Sequence, residues 1–456
     1  LMSYRLKLRL AIAGGILLLL TTLTLGSLAW RQTPRLVGTS PAEGAVDVPP
    51  AAPLRLTFSG PMDAESVAER LVIQPDRPGE LAWQGNTLIF TPSQPWPSGE
   101  TVTVTLQRGA RTQSWLSFGL AEQRWSFTTA QTLLAYLWPA SGPSDLYALD
   151  PLTGDIRRLT TEANILDYAF SPDGLVAYYS ASNAQGGADL YALDRLSAEA
   201  PRRLLACGGT ACRAPAVSPD GEKLAYETVP HSASSQLVQV WLYDLASGET
   251  RSLSDLTHAT SQPRWSSTGK LACYDQTGLA FIIYDLQTGT SLRLPNQTGQ
   301  GGAWSPDGRY FVASEITLTR LNTTVQVGVS RLLRYDAETG AAVDLTRRDD
   351  VEDVNPVFSP DGSLIVLGRK YLDPARWTLG RPMWLMAADG SAVRQAMEDT
   401  LRVDYDFAWS LDGKQIAFVR FDIGAPTNPP ELWLVNADGS NPLELVVGGY
   451  APAWVP

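Results

Sequence analysis

FSPDG at Phe170–Gly174 is one of six related pentapeptides spaced along this 456-residue chain. The other five are VSPDG ending at Gly221, WSSTG ending at Gly269, WSPDG ending at Gly308, FSPDG ending at Gly362 and WSLDG ending at Gly413. Pro sets its own φ to about −65°, Asp accepts local hydrogen bonds, and Gly adopts a left-handed backbone without steric cost. Because a short apolar run follows each pentapeptide, each one predicts a turn between two β-strands.

A second hairpin motif alternates with the first. Its first copy spans Leu146–Thr160 and contains a strand, an Asp, a Gly-bearing turn and another strand. Its relatives begin at Leu190, Val240, Phe281, Leu332, Met383 and Leu432. One unit therefore has two hairpins and four strands and returns roughly every 40 to 50 residues, which is the period of a β-propeller blade.

The number of motifs predicts the number of blades. The second hairpin occurs seven times, whereas the first occurs six times and the first unit lacks its opening strand. The segment Ala451–Pro456 repeats the missing strand, so we expect it to close a seven-bladed propeller over residues 131–456. Six blades is the alternative, if one degenerate unit is not a full blade.

The Ser-Pro-Asp-Gly turn with its flanking strands resembles the repeat of TolB-type propellers, and the resemblance covers roughly seventy per cent of the chain. Relatives of the repeat also form the propellers of prolyl-oligopeptidase-type peptidases. The resemblance implies an all-β propeller fold. It does not imply one function, because propellers carry out binding, scaffolding and catalysis alike.

The stretch before the propeller lacks this repeat and has the size of one Ig-like sandwich. Three segments, Pro41–Pro49, Phe58–Asp63 and Trp125–Thr129, resemble the opening, central and closing motifs of a bacterial Ig-like family. The resemblance implies an Ig-like β-sandwich at residues 41–130 that acts as a spacer. Residues 31–40 form a short linker before it.

Residues 1–30 form a membrane anchor or a signal segment. Three basic residues precede Leu10–Trp30, an uncharged stretch long enough to span a bilayer as one helix. A cleaved signal peptide is the alternative, with Ser27–Ala29 as the cleavage site. Both alternatives place the bulk of the chain outside the cytoplasm, in the periplasm or at the surface of a bacterium.

Composition restricts the classes of partner and of chemistry. The net charge is −11, which argues against a nucleic-acid partner because phosphate binding needs basic patches. The chain has two His, no phosphate-binding Gly-rich loop, no metal-ligand spacing and no Gly-x-Ser-x-Gly elbow. We therefore expect no cofactor and no metal, and the sequence favours a protein that is not an enzyme.

Candidate binding residues lie in the loops that vary between units. The two hairpin turns of every unit fall on one face of a propeller, and the variable connections fall on the other, where binding is expected. The candidates combine aromatic, Arg and acidic side chains typical of contact surfaces: Tyr371, Arg376, Trp377, Arg381, Asp349 and Asp350. Simple loop anchoring is the alternative explanation for the first four residues, and a solvated loop is the alternative for the two acids.

The three cysteines fall into two classes. Cys207 and Cys212 are five residues apart at a junction between units, and an oxidising exterior predicts a disulfide between them. Cys273 lies within the apolar run KLACYD and is expected to be a core thiol.

These observations predict a non-catalytic binding or scaffolding protein of the cell envelope that recognises a protein or glycan partner through its variable loops. The alternative is a glycan- or peptide-active hydrolase that uses acids at the mouth of the propeller, such as Glu315, Asp349, Glu352 and Asp404. The sequence leaves the ligand and the oligomeric state open.

Overall fold

The computed structural model describes residues 34–455, except for residues 47, 51, 94, 114–118, 162–163, 196–198, 231–236, 256, 321–325 and 374. The chain divides into two compact units, Leu1–Gln131 and Thr132–Pro456. The predicted membrane segment Leu10–Trp30 lies outside the described residues. Within the described residues, no helix is long and apolar enough to cross a membrane.

The first unit is a β-sandwich with one short helix. Its elements are β1 (Leu36–Ser40), β2 (Leu54–Phe58), α1 (Ala64–Ala68), β3 (Leu71–Gln74), β4 (Gly79–Gln84), β5 (Thr87–Pro92), β6 (Thr101–Leu106) and β7 (Gln123–Thr128). One sheet has the order β1-β2-β5-β4 and the other β3-β6-β7. Alternate residues of β2 and β6 are buried, because successive side chains of a strand point to opposite faces.

The three Ig-like motifs have structural roles in this unit. Asp63 caps α1 by accepting a hydrogen bond from the Ser66 backbone N–H at 2.8 Å. Trp125 and Phe127 of the closing motif point into the core, where Phe127 makes an edge-to-face contact with Trp96. Val48 of the opening motif pairs with Thr129, which ties the start of the unit to its end.

The second unit is built from strands alone in its described part. They are β8 (Leu134–Trp138), β9 (Asp145–Leu149), β10 (Ile156–Arg158), β11 (Ile165–Phe170), β12 (Val176–Ser182), β13 (Ala188–Asp194), β14 (Arg202–Leu205), β15 (Ala211–Val217), β16 (Lys223–Val229), β17 (Gln239–Asp244), β18 (Thr250–Ser252), β19 (Thr260–Trp265), β20 (Lys270–Asp275), β21 (Ala280–Asp285), β22 (Thr290–Pro295), β23 (Gly302–Trp304), β24 (Tyr310–Arg320), β25 (Gln326–Asp336), β26 (Ala342–Asp344), β27 (Val351–Phe358), β28 (Leu364–Tyr371), β29 (Met383–Ala387), β30 (Arg394–Gln395), β31 (Arg402–Trp409), β32 (Gln415–Asp422), β33 (Glu431–Asn436), β34 (Leu443–Val447) and β35 (Tyr450–Trp454).

These strands form successive antiparallel groups of four, as in a β-propeller. Group 1 has the order β35-β8-β9-β10, and groups 2 to 7 follow in chain order from β11–β14 to β31–β34. Groups 2 and 3 share one sheet, because Ala188 and Ala211 form a parallel bridge. In group 1 the C-terminal strand β35 pairs with β8, with Trp454 opposite Leu134 and Ala453 opposite Ala135. The two ends of the propeller sequence thus meet in one sheet.

The pentapeptide turns have the local chemistry that their residues predict. In the first, Ser171 Oγ donates to Asp173 Oδ1 at 2.6 Å and accepts from the Val176 N–H at 2.9 Å. The variant turns also close: Ser266 Oγ lies 3.0 Å from Thr268 Oγ1, and Ser410 Oγ donates to Asp412 at 2.8 Å. The Ser and the left-handed Gly therefore maintain the turn where Pro or Asp is missing.

Tryptophans before these turns link neighbouring groups. The indole Nε1–H of Trp265 donates to the Ala216 carbonyl at 2.9 Å, and that of Trp304 donates to the Arg264 carbonyl at 2.9 Å. The indole of Trp409 donates in the same way to the Val357 carbonyl, and that of Trp454 to the Ala408 carbonyl. Apolar cores fill the space between facing sheets, as where Phe281 and Phe311 pack with ring centroids 5.0 Å apart.

The first strand of most groups carries a β-bulge. The register of pairing with the neighbouring strand shifts within β15, β19, β27, β31 and β35. Five residues there have left-handed backbones: Ala214, Gln262, Asn355, Asp406 and Ala451. The first strands lie side by side around the centre, and Tyr168 Oη of β11 donates to the Ala451 carbonyl at 2.6 Å. Bulges of this kind bend a strand and change the direction of its side chains.

Candidate functional site

The strand order sorts the connections of the propeller onto two faces. In an antiparallel group, the turns between strands one and two and between strands three and four fall on the same face, which we call the turn face. The remaining connections form the opposite face, which we call the loop face. The longest described connections of the loop face are residues 372–382 in group 6 and residues 423–430 in group 7.

A cleft of about 830 Å³ opens on the loop face. Its lining is mostly polar: Gln262, Gln297, Thr298, Gln300, Ser330, Glu352, Asn355, Arg381 and Asp404. Gln262 is held in place because its Nε2 donates to the Gly299 carbonyl at 2.9 Å. Such a wall of amides and hydroxyls offers hydrogen bonds to a polar ligand or to a peptide backbone.

The acids of the cleft already have partners. Glu352 forms an ion pair with Arg381 at 2.7 Å, and the two side chains are largely buried. Asp404 accepts two hydrogen bonds from Arg420 and one from the Met383 backbone N–H at 2.9 Å. These acids are therefore held in structural pairs.

Glu315 lies beside the cleft and differs from the other acids. Its Oε2 accepts from the Gln297 N–H at 2.9 Å, whereas its Oε1 is buried without a hydrogen-bond partner among the described residues. Burial raises the pKa of the Glu315 carboxyl above its ordinary value.

Three of the predicted binding residues meet at one place. The guanidinium of Arg376 lies 4.4 Å from the ring centroid of Tyr371 and forms an ion pair with Asp350 at 2.6 Å. Arg348 donates to both oxygens of the Asp350 carboxylate, to Oδ1 at 2.8 Å and to Oδ2 at 2.6 Å. We call Arg348, Asp350, Tyr371 and Arg376 the arginine–tyrosine cluster. Mainly the hydrogen bond from Arg348 lowers the pKa of Asp350 to about 2.

The other three predicted residues lie apart from this cluster. Trp377 is 53% exposed, and the Lys370 ammonium lies 5.4 Å from its ring centroid. Arg381 belongs to the cleft with Glu352, and Asp349 pairs with Arg331 of β25. The six residues therefore occupy four separate places.

The segment that contains the candidate acids Asp349 and Asp350, residues 347–353, is only partly a loop. Val351, Glu352 and Asp353 belong to β27, and Asp353 forms a bidentate, fully buried pair with Arg369. Tyr371 likewise ends strand β28 and does not belong to the following loop. These polar residues belong to strands because they pair with residues of the neighbouring strand. The run of charged residues in the sequence does not indicate this pairing. Within the described residues, no group of three His, Cys, Asp or Glu side chains could hold a metal ion.

A disulfide joins Cys207 and Cys212, whose Cα atoms are 6.1 Å apart. Asp189 fixes the same loop by accepting hydrogen bonds from the Cys207 N–H at 2.9 Å and from Asn183 at 2.8 Å. The loop connects groups 2 and 3, where Val217 stands in place of a bonding Trp. Cys273 is buried in the core, and burial raises the pKa of its thiol.

Sequence reasoning missed Arg264 and Asp406, which line the central channel. Arg264 lies two residues before the Ser of its pentapeptide turn, where the other five turns carry Ala or Val, and Asp406 lies four residues before its Ser, where Asp167 of another unit is also acidic. A charged residue at a position that the repeat otherwise fills with Ala or Val is the signal that could have identified Arg264.

Comparison with known proteins gives a family match for the first unit. Residues 31–129 match the family model described as Bacterial Ig-like domain. No curated protein matches the chain at a significant level.

Solved β-propeller structures are similar to the chain at low identity. TolB from Acinetobacter baumannii is 14% identical, with a TM-score of 0.44, over 85% of this chain and 83% of that one. The β-propeller domain of the Trilobed protease from Pyrococcus furiosus is 15% identical, with a TM-score of 0.46, over 62% and 82%. Oligogalacturonate lyase from Vibrio parahaemolyticus is 17% identical, with a TM-score of 0.34, over 69% and 72%.

Likeness at this level concerns the fold and not an activity. The predicted resemblance of the first unit is confirmed by the family match at residues 31–129, and the four-stranded groups of the second unit follow this domain along the chain.

Proposed function

We propose that this protein is a non-catalytic binding or scaffolding protein of the bacterial cell envelope, whose loop face recognises a protein or glycan partner. In this proposal the seven groups of strands are seven blades of a closed ring. The Ig-like domain includes strand β1 (Leu36–Ser40) of the predicted linker, since β1 pairs with β2, and it holds the ring away from a membrane, to which residues 10–30 anchor the chain.

The proposal is supported by two features of the loop face, the exposed Trp377 and the arginine–tyrosine cluster. Trp377 exposes 53% of its surface, and Arg376 of the same connection stacks on Tyr371 at the end of β28. Exposed Trp, Tyr and Arg are enriched at the energetic centres of binding interfaces. The ion pairs of Arg376 with Asp350 and Asp373, at 2.6 and 2.7 Å, hold its guanidinium in place, which lowers the entropy lost on binding.

The disulfide supports a location outside the cytoplasm. Structural disulfides persist in oxidising compartments and are rare in the reducing cytosol. The Cys207–Cys212 bridge closes a loop that Asp189 also fixes, as expected of a structural bond. The family match to a bacterial Ig-like domain agrees with a bacterial envelope.

The proposal is tested by capture of partners from envelope extract on the full-length chain. We expect Trp377→Ala and Arg376→Ala each to weaken capture at least tenfold. Leu152→Ala is the matched control, because Leu152 is 85% exposed in a turn of the turn face. Capture that depends on Leu152 and not on Trp377 would place the partner on the wrong face and contradict the proposal.

A hydrolase acting on glycans or peptides is the second candidate, and Glu315 is the observation that favours it. A buried carboxyl with a raised pKa and an unpartnered oxygen beside a polar cleft is suited to act as a general acid. Turnover of envelope glycans or peptides that Glu315→Gln abolishes, in a chain that still folds, would support this function over binding alone.

A further inference from the structure

The second strand of group 5 extends well beyond the strand that covers it. β24 pairs with β25 along its whole length, but β23 pairs with its other edge only as far as Ala313, although β24 continues to Arg320. In the other six groups the first strand reaches the end of the second or comes within one residue of it, through the pairs Tyr450–Leu137, Ile165–Ala181, Ala211–Val229, Thr260–Asp275, Val351–Tyr371 and Arg402–Asp422. The overhang of β24, residues 314–320, therefore occurs in group 5 alone among the described strands.

The backbone of this overhang has open hydrogen-bonding groups. The Ser314 N–H donates to the Gln300 carbonyl at 3.3 Å, so Ser314 faces the edge that β23 covers further back. Because successive residues of a strand direct their backbone groups to opposite edges, Ile316 and Leu318 face this edge too. The Ile316 N–H is directed to the Glu315 carboxylate. The Ile316 carbonyl and both backbone groups of Leu318 have no partner among the described residues.

This free edge lacks the features that normally protect an exposed strand. Residues 316–319 read Ile-Thr-Leu-Thr, without Pro or charge, and the pairing with β25 contains no bulge. Ile316 is 44% exposed and Leu318 is 74% exposed. Folded proteins usually protect a free edge with charge, Pro, a bulge or a covering segment, because its open backbone groups pair readily with another chain. The unprotected edge of β24 therefore indicates that another strand covers it.

The free edge opens on the loop-face cleft. Ile316 of β24 lines this cleft together with Thr298 and Gln300, which come shortly before β23 in the chain. The cleft has a volume of about 830 Å³, so there is space beside the edge. The acids in its lining are paired with arginines, so the cleft offers no strong net charge. These surroundings suit an uncharged segment.

We propose that the free edge of β24 binds an extended, uncharged segment of a partner protein as an added β-strand. This inference rests on the proposed function, since it identifies the partner of the loop face as a protein. The backbone of the added strand supplies the donors and acceptors that β24 lacks. Cross-strand contact with Ile316 and Leu318 favours apolar side chains at alternate positions, with polar or β-branched ones between them, beside Thr317.

Two other occupants match the edge less well. A second copy of the chain would meet the repulsion between two chains that each carry a net charge of −11. A glycan lacks the regular spacing of amide donors and acceptors that a strand edge requires. In the described part of the cleft, no aromatic ring is available to stack on a sugar. A peptide strand is the occupant that these observations favour.

The test is binding of synthetic peptides to the full-length chain, measured by fluorescence polarisation. The probes are octapeptides with blocked ends in which Val, Ile or Leu alternates with Ser, Thr or Asn. We expect at least one octapeptide to bind saturably. N-methylation of every second residue in one register should weaken its binding at least tenfold. N-methylation in the other register should weaken it far less, because a strand presents only one of its edges to β24.

Variants of Leu318 test the same edge from the side of the protein. Leu318→Pro removes the outward N–H and should weaken peptide binding at least tenfold, whereas Leu318→Ala keeps the N–H and should lose less. Pro is tolerated where the N–H of an edge strand does not pair within the sheet, so the variant is expected to fold, which thermal unfolding checks. Ile156→Ala is the matched control, because Ile156 is 53% exposed on the outermost strand of group 1 and its loss should leave binding unchanged.

Capture of partners from envelope extract separates this inference from the proposed function. Capture that is lost in Trp377→Ala and kept in Leu318→Pro would leave the proposed function standing and overturn the added strand. Capture that is lost in Leu318→Pro and kept in Trp377→Ala would leave the added strand standing and contradict the recognition surface at Trp377.

Four further results would overturn the inference. The first is the absence of saturable binding by every octapeptide. The second is peptide binding that neither Leu318→Pro nor the register of N-methylation affects. The third is dimerisation of the chain that Leu318→Pro abolishes, which would make a second copy the occupant. The fourth is binding of a neutral glycan such as cellotetraose in place of the peptides.

Discussion

Asp404 of β31 and Arg420 of β32 form a bidentate pair inside the propeller, with Nε–Oδ1 and Nη2–Oδ2 distances of 2.8 and 3.2 Å. Asp404 also accepts a hydrogen bond from the Met383 N–H of the preceding group. The carboxylate thus joins two strands of group 7 to the third strand of group 6. Asp353 and Arg369 repeat the arrangement one group earlier, where Thr346 of group 5 donates to Asp353 at 2.8 Å.

Replacing Asp404 by Asn should strongly destabilise the propeller. The change leaves the Arg420 guanidinium buried without a counter-charge, which costs roughly 3–5 kcal/mol of unfolding free energy. Denaturant unfolding of the full chain measures the loss. Asp406→Asn is the control two residues along the same strand, and it should change stability by less than about 0.5 kcal/mol, because Asp406 has no partner in the fold. Equal losses from the two variants would contradict the structural role of the pair.

The indole of Trp454 should contribute to ring closure through one hydrogen bond. Its Nε1–H donates to the Ala408 carbonyl of group 7 at 3.0 Å. Trp454→Phe keeps an aromatic ring and removes the donor, so we expect a loss of about 1 kcal/mol beyond the change in packing. Trp384→Phe is the control, because the Trp384 indole makes no hydrogen bond among the described residues. A larger loss from the control in thermal unfolding would argue against the contribution of the hydrogen bond.

Packing between neighbouring turns should be visible in two glycine variants. Gly269 and Gly308 both have left-handed backbones, with φ of 82° and 69°. A Cβ on Gly269 meets nothing within 4 Å, whereas one on Gly308 would lie 2.8 Å from Thr268 Oγ1. Gly269→Ala should cost about 1–2 kcal/mol for the backbone alone.

Gly308→Ala should cost measurably more, because Thr268 Oγ1 is held by Ser266 and cannot move away freely. The difference between the two variants in denaturant unfolding isolates the contact between turns of adjacent groups. Equal costs would show that this contact is unimportant.

His258 should titrate above its ordinary pKa of 6.5. Its Nδ1 lies 2.8 Å from Asp275 Oδ2, and the hydrogen bond and charge of Asp275 raise the pKa of His258. The stabilisation of the folded protein by this pair is then fully present below pH 6.5. It is lost as the pH rises through the higher pKa that His258 has in the folded protein. Imidazole NMR titration measures the midpoint, and His258→Gln assigns the signal, since the chain has two His. A midpoint at or below 6.5 would contradict the pairing.

The architecture of the propeller could be predicted because its signals are local. A Ser-Pro-Asp-Gly turn closes through hydrogen bonds among its own residues, so its sequence specifies its shape wherever it occurs. The period of the two hairpins then predicts four-stranded units, and the spare strand at Ala451 indicates how the first unit is completed. The Ig-like motifs could be recognised for the same reason. Asp63, for example, caps a helix by accepting a hydrogen bond from the backbone N–H of Ser66, only three residues later.

The candidate site could be predicted only in part. Residue type and loop position identified Tyr371, Arg376 and Asp350, which do meet in space. The same reasoning grouped Arg381 and Asp349 with them, although each pairs elsewhere with a residue of another strand. Loop composition indicates which side chains are suited to contacts, but cross-strand register decides which of them touch.

The sequence alone determined the all-β fold, the succession of an Ig-like domain and a propeller, and the turns that build each unit, because these follow from short-range backbone chemistry. Only the tertiary structure decided which charges are neutralised. Asp404 and Asp406 would point to the same side of a regular strand. The bulge at Asp406, with its left-handed backbone, breaks this alternation, so Asp404 pairs with Arg420 and Asp406 lines the channel with Arg264.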